Sequence, residues 1–112
     1  MGGLGEGGTP ASLAFSSGEE GTLVVRIAGE LDLAGTESLE REIGELMQQS
    51  AEHVVVDLTQ LEFIDSSGVA ILLRLANHVG PLDLIGSNRR VQQVVRALGL
   101  TDRLRIVPGG KQ

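Results

Sequence analysis

Apolar and polar residues alternate from Thr22 to Ala28, placing Leu23, Val25 and Ile27 on one face of an extended chain. Leu13 to Phe15 reads as a short edge strand before it, with Gly18 to Gly21 as the hairpin turn between them. Gly29-Glu30-Leu31-Asp32 ends the alternation. From Ala34 to Gln49 the period lengthens. Leu39, Ile43, Leu46 and Met47 form one helical stripe, and Glu37, Glu40, Glu42 and Glu45 lie off it. His53 to Leu58 is a continuous run rich in β-branched residues, expected as a central strand covered on both faces. Gly68 to Val79 reads as a second helix. Val69, Ile71, Leu72, Leu73 and Leu75 leave it apolar almost all round, so it should be largely buried, and Gly80-Pro81 stops it. Leu82 to Ile85 is the next strand. Ser87 or Asn88 can cap a third helix with its stripe at Val91, Val94, Val95 and Leu98, and Gly99 follows as a stop. Leu104 to Val107 is the last short strand.

The resulting order is β, β, α, β, α, β, α, β. Strands that alternate with helices imply parallel pairing through right-handed crossovers, and the first two strands, joined by a short turn, pair antiparallel. The fold class is therefore α/β, with one mixed, mostly parallel sheet of four to five strands and three to four helices. One domain is expected over residues 12–108, between a Gly-rich tail at 1–11 and a short tail at 109–112. The tail contains a formal G-x-G-x-x-G match at Gly3, Gly5 and Gly8. It lacks the strand before and the helix after that a dinucleotide site needs, so it reads as chance.

Composition narrows the function. Apolar residues make up 41% of the 112 and aromatics only 2%, so the core must be aliphatic. A net charge of −6 disfavours nucleic acid and anionic membrane surfaces, both of which need clustered Lys and Arg. The absence of cysteine removes disulfides and thiolate chemistry and favours a cytoplasmic home. No apolar run has the ~18 residues of a membrane span, and the start lacks the order of a signal peptide. No catalytic constellation emerges, and no cofactor or metal is expected. His53 and His78 lack ligand spacing to each other or to carboxylates, and neither a nucleophile elbow nor a Walker A loop is present. Glu30 and Asp32 should point to opposite faces unless the chain turns between them. Arg89-Arg90 reads as a solvated helix start.

Asp65-Ser66-Ser67-Gly68 interrupts two apolar runs just where the second helix begins. One reading is structural: Asp65 or Ser66 caps the first free N–H groups, worth ~1 kcal/mol. The other is chemical. A hydroxyl at a helix N-terminus on the carboxyl side of a parallel strand can carry a phosphate, which meets free N–H groups there. Such a phosphate adds about −1.5 to −2 charge. The domain could stay folded while a docked partner is repelled. The two roles can coexist.

The run Val54 to Leu73, VVVDLTQLEFIDSSGVAILL, resembles the signature of STAS domains, specifically anti-sigma factor antagonists. GELDL at Gly29 to Leu33, the helix after it, and RRVQQVVRALGLTDRLRIV from Arg89 to Val107 follow in the same order. The resemblance spans residues 12–108. It implies a non-enzymatic partner switch. The unphosphorylated antagonist binds an anti-sigma factor that is also a serine kinase, freeing the sigma factor. Phosphorylation separates the pair, and a serine phosphatase resets it. The motif aspartate maps to Asp65 and the acceptor to Ser66, with Ser67 the alternative. The Gly29–Leu33 loop should lie beside the start of the Ser66 helix, forming a docking face from Glu30, Asp32, Asp65, Ser66, Ser67, Gly68 and Val69. The other role implied is that of a stand-alone STAS subunit docked on the ATPase of a lipid-transport ABC complex.

Overall fold

Strict alternation over Thr22–Leu31 produces the longest strand, β2, and the turn at Gly18–Gly21 returns it against β1 (Ser12–Ser17). The turn closes with Gly18 N–H donating to the Thr22 carbonyl at 2.7 Å and Thr22 N–H to the Glu19 carbonyl at 3.0 Å. The computed structural model describes residues 9–108. After β2 come α1 (Leu33–Ser38), α2 (Glu40–Met47), β3 (His53–Asp57), β4 (Leu61–Ile64), α3 (Ser66–Val79), β5 (Leu82–Ile85), α4 (Arg89–Ala97) and β6 (Leu104–Ile106). The Gly-x-Gly match at Gly3, Gly5 and Gly8 and the tail at 109–112 lie outside the described residues.

The sheet runs β1-β2-β3-β5-β6, with β4 paired to β2 where β3 leaves off. Among the described residues only the β1–β2 pair is antiparallel; β2–β3, β2–β4, β3–β5 and β5–β6 are parallel. Among the described residues there are thus six strands rather than four or five, because Leu61–Ile64 forms a strand of its own. Four helices accompany them, as the upper expectation allowed.

Leu23, Val25 and Ile27 of β2, Val54 and Val56 of β3, Leu82 and Leu84 of β5 and Leu104 of β6 are buried. They join Ile43, Leu46, Leu72, Leu75, Val91 and Val95 of the helices in one cluster. The core is aliphatic, as the 2% aromatic content requires. The alternate positions lie in register on the other face: Val24 beside Val55, Arg26 beside Asp57, and Asp83 beside both Val55 and Arg105. Their burial is intermediate or nil, so β3 is covered on one face and not on both. A run of valines reads alike in either case; the helices pack on only one side.

That open face is laced with charge. Arg26 Nε sits 3.7 Å from Asp57, His53 Nε2 lies 2.5 Å from Asp83 Oδ2, and Arg105 Nε donates to Asp83 Oδ1 at 2.8 Å. Burial alone would raise the Asp83 carboxyl, but hydrogen bonds from His53 and Arg105, with their charges, outweigh it and hold the group below its ordinary value. Asp57 is likewise lowered: burial opposes, while the hydroxyl and N–H of Thr59 and the charge of Arg26 prevail.

Two elements depart from the periodicity. The helix expected over Ala34–Gln49 breaks at Leu39, whose φ of −100° and ψ of 8° separate α1 from α2. The hydroxyls of Thr36 and Ser38 donate to the carbonyls of Leu33 and Gly35, each at 2.8 Å, competing with the helical ladder. Leu98, placed on the α4 stripe, is 56% exposed, because the helix ends at Ala97. Among the described residues no helix is long and apolar enough to cross a membrane.

Gly29 has a φ of 83°, and a Cβ there would stand 2.7 Å from the Pro10 carbonyl carbon. Gly29→Ala is expected to lose about 1–3 kcal/mol through left-handed strain, read as a lower urea midpoint with an unchanged slope. Asp83→Asn is expected to lose about 1 kcal/mol at pH 7. A lowered folded pKa contributes stability above the unfolded aspartate value of about 3.9 and loses it as pH falls through the folded value. The difference from wild type should therefore vanish in an acid titration of the unfolding midpoint.

Candidate functional site

Parallel strands end together, and here that places two aspartates side by side. Leu31 closes β2 opposite Ile64, which closes β4. The next residues, Asp32 and Asp65, both turn extended, with φ of −108° and −120°, and each opens a helix. Asp32 Oδ1 accepts from Gly35 N–H at 2.8 Å at the head of α1. Asp65 Oδ1 accepts from Ser67 N–H at 2.8 Å and Gly68 N–H at 3.3 Å at the head of α3. Of the two capping candidates in the sequence, Asp65 is the one that caps.

Close packing joins the two strand ends. Asp65 N–H donates to the Leu31 carbonyl at 3.3 Å. Gly68 is buried against the same carbonyl, and a Cβ on it would fall 2.7 Å from Ile64 Cγ1 and 2.9 Å from Leu31 Cγ. Gly68 therefore lets α3 approach β2 rather than offering contact area. Val69, expected on the docking face, is 3% exposed and belongs to the core, since α3 turns it inward. Ser66 is exposed and Ser67 half-buried, so Ser66 carries the accessible hydroxyl of the pair.

Glu30 and Asp32 are not separated onto opposite faces, because residues two apart along a strand point the same way. Both line one hollow of about 370 Å³ with Ala34 and Ser38, closed on one side by Thr9 and Pro10. Thr9 to Ala11, assigned to the tail from composition, include anchored residues. Glu30 N–H donates to the Thr9 carbonyl at 3.0 Å, and Thr9 Oγ1 donates to Glu62 Oε2 at 2.7 Å.

Two apolar residues at this end were missed. Leu33 is 60% exposed just after Asp32, and Phe63 is 37% exposed. Phe63 faces outward because Gly29 pairs with Leu61 and Glu30 with Phe63, leaving Glu62 as an extra residue in β4. The bulge turns both Leu61 and Ile64 inward at a spacing that simple alternation forbids. Arg90 is not merely solvated: its Cζ lies 5.9 Å from the centre of the Phe63 ring. His53 opens β3, opposite Thr22 at the other end of the sheet, and His78 sits in the last turn of α3. Among the described residues no three His, Asp or Glu side chains gather as a metal site.

A family profile described as "Mlab, STAS domain" matches residues 15–108, so the chain belongs to the STAS domain family. The anti-sigma F factor antagonist of Paenibacillus polymyxa is 38% identical over 64 residues, covering 54% of this chain and 55% of that protein. The chain spans about half the length of the curated relatives it matches. A solved anti-sigma factor antagonist from Mycobacterium paratuberculosis has a TM-score of 0.72 at 24% identity over 88% of each chain. The anti-sigma factor antagonist SpoIIAA in its unphosphorylated form has a TM-score of 0.68 at 24% identity, over 86% of this chain and 88% of that one. At these identities the structural likeness establishes the fold, which is SpoIIAA-like.

Asp65→Ala is expected to cost about 1 kcal/mol through the lost cap. Ser66→Ala, at an exposed position outside the capping bonds, should stay within about 0.5 kcal/mol of wild type. Urea unfolding of the two variants side by side checks the division of labour.

Proposed function

We propose that the chain is an anti-sigma factor antagonist whose docking face is the end of the sheet around Ser66, and that phosphorylation of Ser66 releases its partner. The observation that carries this reading is the exposed Ser66 at the first position of α3, beside a cap supplied by another residue. The hydroxyl is free to react, and modifying it removes no capping bond. Exposed Leu33 and Phe63 nearby supply apolar area that an anti-sigma factor with serine kinase activity would cover. Transfer forms a bond from Ser66 Oγ to the γ-phosphorus of ATP and breaks that phosphorus from ADP. ADP and the hydroxyl proton are released.

The consequence is electrostatic. Asp32 and Asp65, with Glu30 nearby, already place carboxylates around this end. A phosphate adds about −1.5 to −2 charge among them, and the positive end of the α3 dipole allows the fold to tolerate it. A partner surface selected to meet the unmodified face then meets the extra charge at close range. A serine phosphatase would restore the first state. The other role implied by the resemblance, a fixed subunit on the ATPase of a lipid-transport complex, leaves Ser66 unmodified under a permanent interface.

Incubation of the purified protein with ATP and the candidate serine kinases of its source, followed by mass spectrometry, should place one phosphate on Ser66 and none on Ser66→Ala. Ser66→Asp should bind the anti-sigma partner at least about tenfold more weakly than wild type, a loss of ~1.4 kcal/mol. Equal binding by Ser66→Asp and wild type contradicts the switch. Co-purification with a transport ATPase and no phosphate from any kinase favours the fixed subunit.

A further inference from the structure

Two arginines, Arg89 and Arg90, open α4, and its first turn carries no acidic residue. Cations are disfavoured at that end, because the unpaired N–H groups give it positive partial charge. Among the described residues the ion pairs within 4.0 Å use Arg26, His53, Arg74 and Arg105, and neither Arg89 nor Arg90. The Arg90 guanidinium lies instead over the exposed Phe63 ring, a weak attraction at a solvated site. Ser66 follows Phe63 by three residues, at most about 11 Å of chain. The head of α4 is held beside the end of β3 and the start of β4, because Gly86 packs directly on Thr59 and the Leu58 N–H donates to the Ile85 carbonyl at 2.9 Å.

A cation with no ionic partner, at the disfavoured end of a helix and over a ring three residues before the acceptor serine, lacks an anion. Resting on the reading of Ser66 as a phosphate acceptor, we propose that Arg90 receives the Ser66 phosphate, its guanidinium leaving the Phe63 ring for the phosphate oxygens. Charge-assisted, bidentate contacts to phosphate are much stronger than an exposed cation–ring contact, so the exchange runs toward phosphate. Modification would then change the docking face twice: it adds negative charge at Ser66 and strips the cation from Phe63.

The second ionisation of that phosphate reports the pairing. Asp65 at the cap, Glu30 and Asp32 at the end of β2 and Glu62 on β4 raise its pKa. The head of α3 and a paired Arg90 lower it. Phosphoserine is installed at position 66 of the full chain by genetic encoding, without any kinase, and titrated by phosphorus NMR. Arg90→Gln should raise the second pKa by about half a unit, a roughly threefold change in acid constant. Arg90→Lys should recover part of the shift, and Arg89→Gln should leave the wild-type value. Phe63 ring resonances should move on phosphorylation in wild type and stay fixed in Arg90→Gln. Equal second pKa values in wild type and Arg90→Gln overturn the proposal, as does a rise produced by Arg89→Gln alone. A kinase that fails to modify Ser66 counts against the functional reading and leaves this outcome separate.

Discussion

The pairing of the last residues of β2 with β4 is the constraint on which the rest depends. β3 occupies the edge of β2 only as far as Arg26, and β4 takes the remainder from Gly29 to Leu31. Without that second pairing, Asp32 and Asp65 would begin unrelated helices. With it, two capped helix heads share one end of the sheet, and Gly68 brings α3 onto the Leu31 carbonyl itself. The bulge opposite Gly29 is part of the same device. It turns Leu61 and Ile64 into the core and leaves Phe63 outside, so one irregularity supplies both an anchor and an exposed aromatic.

The division between capping and accessibility follows from this. The aspartate carboxylate satisfies the free N–H groups at the head of α3, and the serine after it has no such duty. If Ser66 is the phosphate acceptor, as proposed, a residue the fold does not lean on is the better place for it. The open face of the sheet contributes separately. Its row of Arg26, Asp57, His53, Asp83 and Arg105 covers half-buried valines with paired charge instead of with helices, and its ionic contacts lie away from the Ser66 end.

What the sequence made legible was local. A cap needs an Asp before a helix, and Asp65 could be read for that reason, as could Asn88, whose Oδ1 accepts from Val91 N–H at 2.9 Å. The hairpin before β2 was legible from its glycines and alternation. Features that depend on distant packing were not. Val54-Val55-Val56 looks the same whether helices cover one face of β3 or two. Val69 follows the serines directly, yet its direction is set by how α3 lies on the sheet. Leu33 and Phe63 carry no signal of exposure, since one follows a cap and the other a bulge that only the pairing with Gly29 reveals. Thr9 looked like more of a Gly-rich tail because its partners, Glu30 and Glu62, lie far along the chain.

The central claim is that a phosphate on Ser66 alters one end of the domain and leaves the scaffold alone. Backbone amide chemical shifts of the unmodified and Ser66-phosphorylated protein, recorded with their urea unfolding midpoints, test it most directly. The expected result is shift changes confined to the heads of α1, α3 and α4 and to Phe63, with stabilities equal within about 0.5 kcal/mol. Changes spread through β3 and β5, or a phosphorylated form that unfolds at a clearly lower midpoint, would contradict it.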